Sequence, residues 1–219
     1  MHSFYKEFLK YLDRQDKEHC VSFVLDKLSD GEIDIVTLYE EILTPSLREQ
    51  FCRESGTEIC IWEEHVRTSI IRTVIECCFP YLAGERDRLY SPGKKGPVIM
   101  TCPSEEYHEI GARMVADFFS LCGYDVTFVG ANTPREDVFS ALTFIKPVFV
   151  AISVTNYYNL VAAGKMINRL KEIRTATEGD FKIIVGGIAF RDNSSSAGEM
   201  GADRLLVTFS DIKALSEEE

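Results

Sequence analysis

After Pro97 the chain changes its pattern, and that change limits the folds open to it more than any other feature. Short runs rich in apolar and β-branched residues, "PVIMT", "DVTFVG", "VFVAISV", "FKIIVGG" and "RLLVT", alternate with segments of helical period. Within each run the apolar residues are consecutive rather than alternate, as in strands covered on both faces. Strands alternating with helices predict a parallel sheet sandwiched between helices. Five strands suit an open, doubly wound, flavodoxin-like order, in which ligands sit beyond the carboxyl ends of the strands. Helices are expected at Ile110–Cys122, Pro134–Phe144, Tyr157–Arg174 and about Ser195–Met200.

Before Pro97 the period is helical. Phe4, Phe8, Tyr11 and Leu12 recur at three- and four-residue steps, as do Cys20, Val24 and Leu28 before a stop at Gly31. Asp34 is placed to cap a helix carrying Leu38, Ile42 and Leu43, which Pro45 should kink or restart. A last helix is expected from about Ile61 to Phe79. Such helices are marginal alone and should pack as an all-α bundle. The stretch "GERDRLYSPGKKGP" reads as a linker. The expected organisation is a bundle over 1–84, a linker over 85–97 and an α/β domain over 98–219.

Lys and Arg number 24 against 35 Asp and Glu, a formal net charge of −11. With no basic patch to offset it, that charge disfavours direct nucleic-acid binding. The 7 cysteines form neither a CxxC pair nor a disulfide framework, which reads as reduced thiols in a cytoplasm. No run reaches the ~18 apolar residues of a membrane helix. The charged N-terminus is no signal peptide, and the acidic "LSEEE" reads as solvated.

His108, Ser153 and Gly186-Gly187 all fall at expected strand carboxyl ends. A lone histidine is most often a solvated loop residue. Here Glu106 precedes it by two positions and Gly111 follows by three, where a bulky ligand would need room. A metal-bound imidazole usually passes its other N–H to a carboxylate. Side chains at i and i+2 share a side only in extended chain, so a Glu106–His108 relay requires the segment to stay non-helical until about Glu109. The competing arrangement is a helix capped at Ser104. One imidazole, with only Cys102 nearby, makes a poor zinc site. It suffices for a metal already held by a macrocycle, a haem or a corrinoid. Gly186-Gly187 marks a tight turn or lets a flat group approach the backbone.

Taken together these segments resemble the cobalamin-binding proteins that join a helical bundle to a flavodoxin-like domain: corrinoid methyl carriers and the light-sensing regulators of the CarH and AerR type. The family's Asp/Glu-x-His-x-x-Gly motif is met by Glu106, His108 and Gly111, and its Gly-Gly by Gly186-Gly187. Its Ser-x-Leu motif appears as Ser153-Val154-Thr155, with Thr155 in place of Leu. "FVGANTPREDV", "MGADRLL" and "LYEEILTPSLREQF" also look like family segments. The resemblance implies that His108 replaces the cofactor's own base as lower cobalt ligand. It also implies that the displaced nucleotide tail enters between strands past Ser153 and the glycines, so that a side chain at Gly187 should obstruct the tail. The bundle would cap the upper face.

A motif that begins with Glu resembles the regulator branch, as does the Glu64-His65 pair that follows Trp62 in "IWEEHVRTS". The resemblance places Glu64 and His65 toward the upper axial group, with His65 a replacement cobalt ligand. A Trp-His pair used by the light sensors is missing from its register at Glu54-Ser55 or Phe51-Cys52, which leaves Cys52 as another substitute ligand. A DNA-binding helix-turn-helix is also missing. The implied function is a stand-alone cobalamin-binding sensor or regulator, photoreceptor-like, more a binding protein than an enzyme, acting through a protein partner. Adenosylcobalamin is favoured over methylcobalamin or hydroxocobalamin. The alternative is a corrinoid methyl carrier of a methyltransferase system. A phosphoacceptor receiver would want acidic residues where Thr101 and Cys102 stand, and a dinucleotide enzyme would want GxGxxG.

Overall fold

The computed structural model describes residues 2–48, 61–89, 95–191 and 195–218. The chain divides into two units, Met1–Arg88 and Leu89–Glu219.

The first unit is helical: α1 (His2–Asp13), α2 (Lys17–Ser29), α3 (Ile35–Thr37), a π-helical segment Leu38–Leu43, α4 (Thr44–Arg48), α5 (Ile61–Cys77) and α6 (Phe79–Leu89). The expected apolar stripes face inward, with Phe8, Leu12, Cys20, Val24, Leu38, Ile42 and Leu43 buried. Asp16 and Asp34 cap α2 and α3 by accepting from His19 N at 3.1 Å and Thr37 N at 2.7 Å. The disturbance expected at Pro45 takes the form of the widened π turns just before it.

The sequence reading missed α6. Part of the expected linker, 85–89, is helical, and Glu85 reaches back to accept from Ile35 N at 3.1 Å. Arg86 and Arg88 lie in the last turn, where cations suit exposed carbonyls. At its other end the expected linker already contains the start of β1.

The second unit holds β1 (Lys95–Thr101), α7 (Ile110–Leu121), β2 (Tyr124–Gly130), α8 (Arg135–Ile145), β3 (Phe149–Ser153), α9 (Leu160–Ala176), β4 (Lys182–Gly186), α10 (Ile188–Arg191), α11 (Ser195–Glu199), β5 (Arg204–Leu205) and α12 (Phe209–Glu217). A 3-10 turn, Tyr157–Asn159, precedes α9. Every strand pair is parallel and the order is β2-β1-β3-β4-β5, the flavodoxin-like arrangement. Val98, Ile99, Val150, Ile152, Ile183 and Val185 are fully buried, which is why these strands read as continuous apolar runs. The order reverses between β1 and β3, so the loops after these two strands stand side by side at the carboxyl end of the sheet, where ligands of such folds bind.

Two helices here escaped the sequence reading. α10 is a single turn after the glycines. α12 occupies most of the segment read as a solvated tail and begins with a capping box between Thr208 and Asp211. Its residues Ile212 and Leu215 are buried.

A polar staple joins β4, β5 and α9. Asp203 Oδ2 accepts from Arg174 Nη1 at 2.6 Å and from Ile183 N at 2.7 Å. Burial works to raise the Asp203 pKa, but the bonds from Arg174 and Ile183 outweigh it and hold the carboxyl below its usual 3.8. A depressed carboxyl stabilises the fold above its unfolded pKa and loses that contribution as pH falls through the folded one. Asp203→Asn should therefore cost about 1–2 kcal/mol at neutral pH. The gap to the wild type should close as pH drops below 3.8. Urea unfolding at several pH values checks it, and a gap that grows toward low pH would contradict the assignment.

Candidate functional site

The loop from β1 to α7 carries Glu106 and His108, and α7 does not begin until Ile110. The helix capped at Ser104 does not form. Glu105 instead takes left-handed backbone, φ +70°, and the chain beyond it stays irregular. The i, i+2 side chains therefore meet: Glu106 Oε1 lies 2.6 Å from His108 Nδ1 and accepts from His108 N at 3.1 Å.

Glu106 is completely buried. Its second oxygen, Oε2, accepts from Thr155 N at 3.0 Å, Asn156 N at 2.8 Å and Asn159 Nδ2 at 3.1 Å, all in the segment between β3 and α9. One carboxylate thus bridges the two loops that flank the reversal in strand order. Burial pushes its pKa up, but the bonds from His108, Asn156 and Asn159 prevail and bring it down to about 2. A charged carboxylate only accepts, so the proton on the facing imidazole belongs on Nδ1. Of the two ring nitrogens, Nε2 is then the one that could take a metal, on a side chain that is 49% exposed.

The other expected residues fall into place unevenly. Cys102 is buried and donates to the His108 carbonyl at 3.9 Å. Burial, reinforced by the charges of Glu106 and Glu109, pushes its thiol up to about 12, which leaves it protonated and unsuited to bind metal. Among the described residues no three His, Cys, Asp or Glu side chains gather into a metal cluster. Thr155 contributes its backbone N–H. Ser153 is buried at the end of β3 and lines a narrow cavity of about 40 Å³ with Gly186 and Gly187. That cavity lies between the sheet and helices α7 and α12, with Phe118 and Ile212 in its wall, rather than between strands. It holds little more than water, so a larger group must spread α7 and α12 to enter.

The glycines divide into two kinds. Gly187 has φ +99°, and a Cβ there would overlap the Val154 carbonyl oxygen. A Cβ on Gly186 would stand 2.8 Å from Leu206 O. These two are demanded by the turn itself, so the expectation that a side chain at Gly187 would obstruct only a ligand's tail gives way to a simpler steric reason. Gly111 is the reverse: nothing lies within 4 Å of an added Cβ. A helical glycine with no packing reason forgoes stability, and at Gly111 it leaves clear space three residues from His108.

On α5, Glu64 Oε2 pairs with His65 Nδ1 at 2.9 Å and Thr68 Oγ1 donates to Glu64 Oε1 at 3.2 Å. The two side chains engage one another, with Glu64 mostly covered and His65 73% exposed. Trp62 is exposed on the same helix. Cys52, with the register around Phe51 and Glu54-Ser55, lies outside the described residues.

Sequence reasoning missed Asn156 and Asn159, although "VTNYYN" follows a strand end directly. It also missed a collar of exposed apolar side chains: Tyr107 after β1, Tyr157, Tyr158 and Val161 after β3, Ile188 after β4 and Val207 after β5. Solvated positions leave no periodic signal, and only the strand order brings these loops to one end of the sheet. Exposed apolar residues gathered in this way mark a binding surface. Half-exposed imidazole, vacant Gly111 flank, apolar collar and Ser153-lined cavity together fit a large flat group with a metal at its centre.

Comparison with known proteins agrees. Residues 96–211 match the B12 binding domain. The chain belongs to the B12-binding domain family. An HTH-type transcriptional repressor, CarA of Myxococcus xanthus, is 26% identical over 183 residues, 83% of this chain and 57% of that protein. A second repressor of that organism, CarH, is 27% identical over 182 residues, 80% of this chain and 54% of the other. This B12-binding chain spans about half the length of the curated relatives it matches. Among solved structures, the monomethylamine corrinoid protein of Methanosarcina barkeri superposes with a TM-score of 0.80 at 16% identity, covering 99% of this chain and 98% of that one, which shows a shared fold.

The two kinds of glycine give opposed expectations. Gly187→Ala should destabilise the corrinoid-free chain by roughly 2 kcal/mol or more. Binding of cobalamin and of tail-less cobinamide should fall together. Gly111→Ala should stabilise the chain slightly, by about 0.5 kcal/mol, yet weaken binding. Thermal unfolding and titration of both variants check this. Gly111→Ala with undiminished affinity would remove Gly111 from the site.

Proposed function

We propose that this chain is a cobalamin-binding regulator in which His108 Nε2 takes the lower axial position on cobalt. The observation that carries this reading is the pairing of His108 Nδ1 with the buried Glu106 carboxylate at 2.6 Å, at the reversal in strand order. When bound, the corrinoid supplies a cobalt ion whose upper axial group can be exchanged or lost. The chain's own residues do the rest. Glu106 fixes the tautomer and direction of the imidazole, and such partners are typically worth 10–100-fold in affinity or activity. The bare flank of Gly111 makes room for the macrocycle. Ser153, Gly186 and Gly187 border the space for the nucleotide tail, and the aromatic collar covers apolar edges.

Regulation is favoured over methyl carriage by similarity to two transcriptional repressors across about four-fifths of the chain. The Glu64-His65 sequence, which resembles the regulator branch, favours it as well. In this reading Glu64 would accept from a ribose hydroxyl of an adenosyl group, and His65 would be the side chain able to replace that group as a ligand. The signal passes to a protein partner, since a net charge of −11 repels nucleic acid. The second reading, a corrinoid methyl carrier, rests on the fold shared with the monomethylamine corrinoid protein over nearly the whole length.

The test is titration with adenosyl- and methylcobalamin in the dark and after green light. His108→Ala should abolish the histidine-ligated spectrum and most of the affinity. Glu64→Ala should erase a preference for adenosylcobalamin while keeping His108 ligation. An unchanged spectrum in His108→Ala would overturn the ligand assignment. Equal affinity for both cofactors, no response to light and methyl transfer with a partner enzyme would establish the carrier.

A further inference from the structure

We propose that Asn132 and Asn159 are positioning residues that clamp the backbone of Glu105 from two sides and so hold the Glu106–His108 pair in its ligating conformation. The inference rests on the reading of His108 as the cobalt ligand. Glu105 has left-handed backbone, φ +70°, which a residue with a Cβ resists. Something must hold it there, and both of its backbone polar groups are held. Asn132, in the loop after β2, accepts from Glu105 N through Oδ1 at 3.1 Å. Asn159, after β3, donates from Nδ2 to Glu105 O at 3.3 Å and to Glu106 Oε2 at 3.1 Å. The Asn132 N–H also donates to Glu106 O at 3.0 Å.

This arrangement has a directional consequence. The turn at Glu105 leaves its own side chain exposed and sends the next one, Glu106, completely inside. If Glu105 relaxes to ordinary right-handed or extended backbone, the Glu106 side chain no longer points into its pocket between the loops. His108 then loses the acceptor on Nδ1. Both asparagines therefore act on the imidazole through the backbone of Glu105, which itself touches neither ring nor ligand site, and Asn159 acts also through its own bond to Glu106.

Glycine adopts positive φ without penalty, which supplies a rescue that an ordinary structural role would not show. Asn132 has φ +49°, so Asn132→Gly removes the amide without straining its own backbone. The measurements are the cobalamin dissociation constant, the histidine-ligated fraction in the cobalt spectrum and the unfolding midpoint of the corrinoid-free chain. Asn132→Gly should weaken binding roughly fivefold, the worth of one hydrogen bond, with loss of histidine ligation and a lower midpoint. Asn132→Asp, which keeps the acceptor oxygen, should stay near wild type. Adding Glu105→Gly to Asn132→Gly should restore all three readouts. Asn159→Ala should weaken binding about tenfold or more and be restored only in part, because its bond to Glu106 remains lost. Wild-type behaviour of Asn132→Gly, or a double variant worse than the single one, overturns the clamp. Identical spectra for wild type and His108→Ala overturn the ligand assignment instead, and the unfolding midpoints of the same variants still decide the clamp.

Discussion

The second unit is organised around one buried carboxylate. Glu106 has no contact with solvent, yet it stays charged because four N–H groups and one imidazole converge on its two oxygens. A buried carboxylate without such partners would take up a proton or stay outside. Its donors come from two loops that the strand order places side by side at the end of the sheet. Removing one partner would therefore do more than cancel a bond, since it would leave the remaining groups desolvated and unmatched. The direction of His108 follows from this arrangement: Nδ1 is committed inward to Glu106, and in the proposed reading Nε2 is the atom offered to cobalt.

The carboxylate's surroundings separate fold from function. Gly186 and Gly187 are glycines because neighbouring backbone leaves no room for a Cβ. Gly111 is a glycine although the protein leaves room for one. All three sit at the end of the sheet where the site lies. Of the three, only Gly111 has no neighbour that a Cβ would meet, and in the proposed reading its open flank makes room for the macrocycle. Residues that pack for the fold's sake and residues kept small for a partner's sake look alike in a sequence and differ in space.

Much of the architecture was legible in advance, and the reasons are physical. The five strands announced themselves because burial on both faces makes every position apolar, as in "FKIIVGG". That Glu106 and His108 share a side only in extended chain made a non-helical segment the condition for their pairing, and the structure meets that condition where the sequence had left a helix from Ser104 open. The omissions have causes as well. α6 was hidden because Gly84, charge and the following Pro-Gly stretch imitate a linker, while its anchor is a long-range bond from Glu85 to Ile35. α12 was hidden because its acidic end looks solvated, although Thr208 and Asp211 carried a capping signal. Asn132 and Asn159 could not be foreseen, because their partners lie 27 and 53–54 residues away and depend on the strand order.

The central claim is that Glu106 commits Nδ1 of His108 so that Nε2 binds cobalt. It is tested most directly by electron paramagnetic resonance of the chain loaded with the paramagnetic cobalt(II) form of cobalamin, prepared with ordinary and with heavy-nitrogen histidine. One axial nitrogen splits each cobalt line into three, or into two when that nitrogen is the heavy isotope. The account predicts that labelling only the protein's histidine converts triplets into doublets. It also predicts that Glu106→Gln broadens or removes the splitting. Triplets that persist unchanged in the labelled protein would mean that the corrinoid's own base still holds the cobalt, and would contradict the assignment.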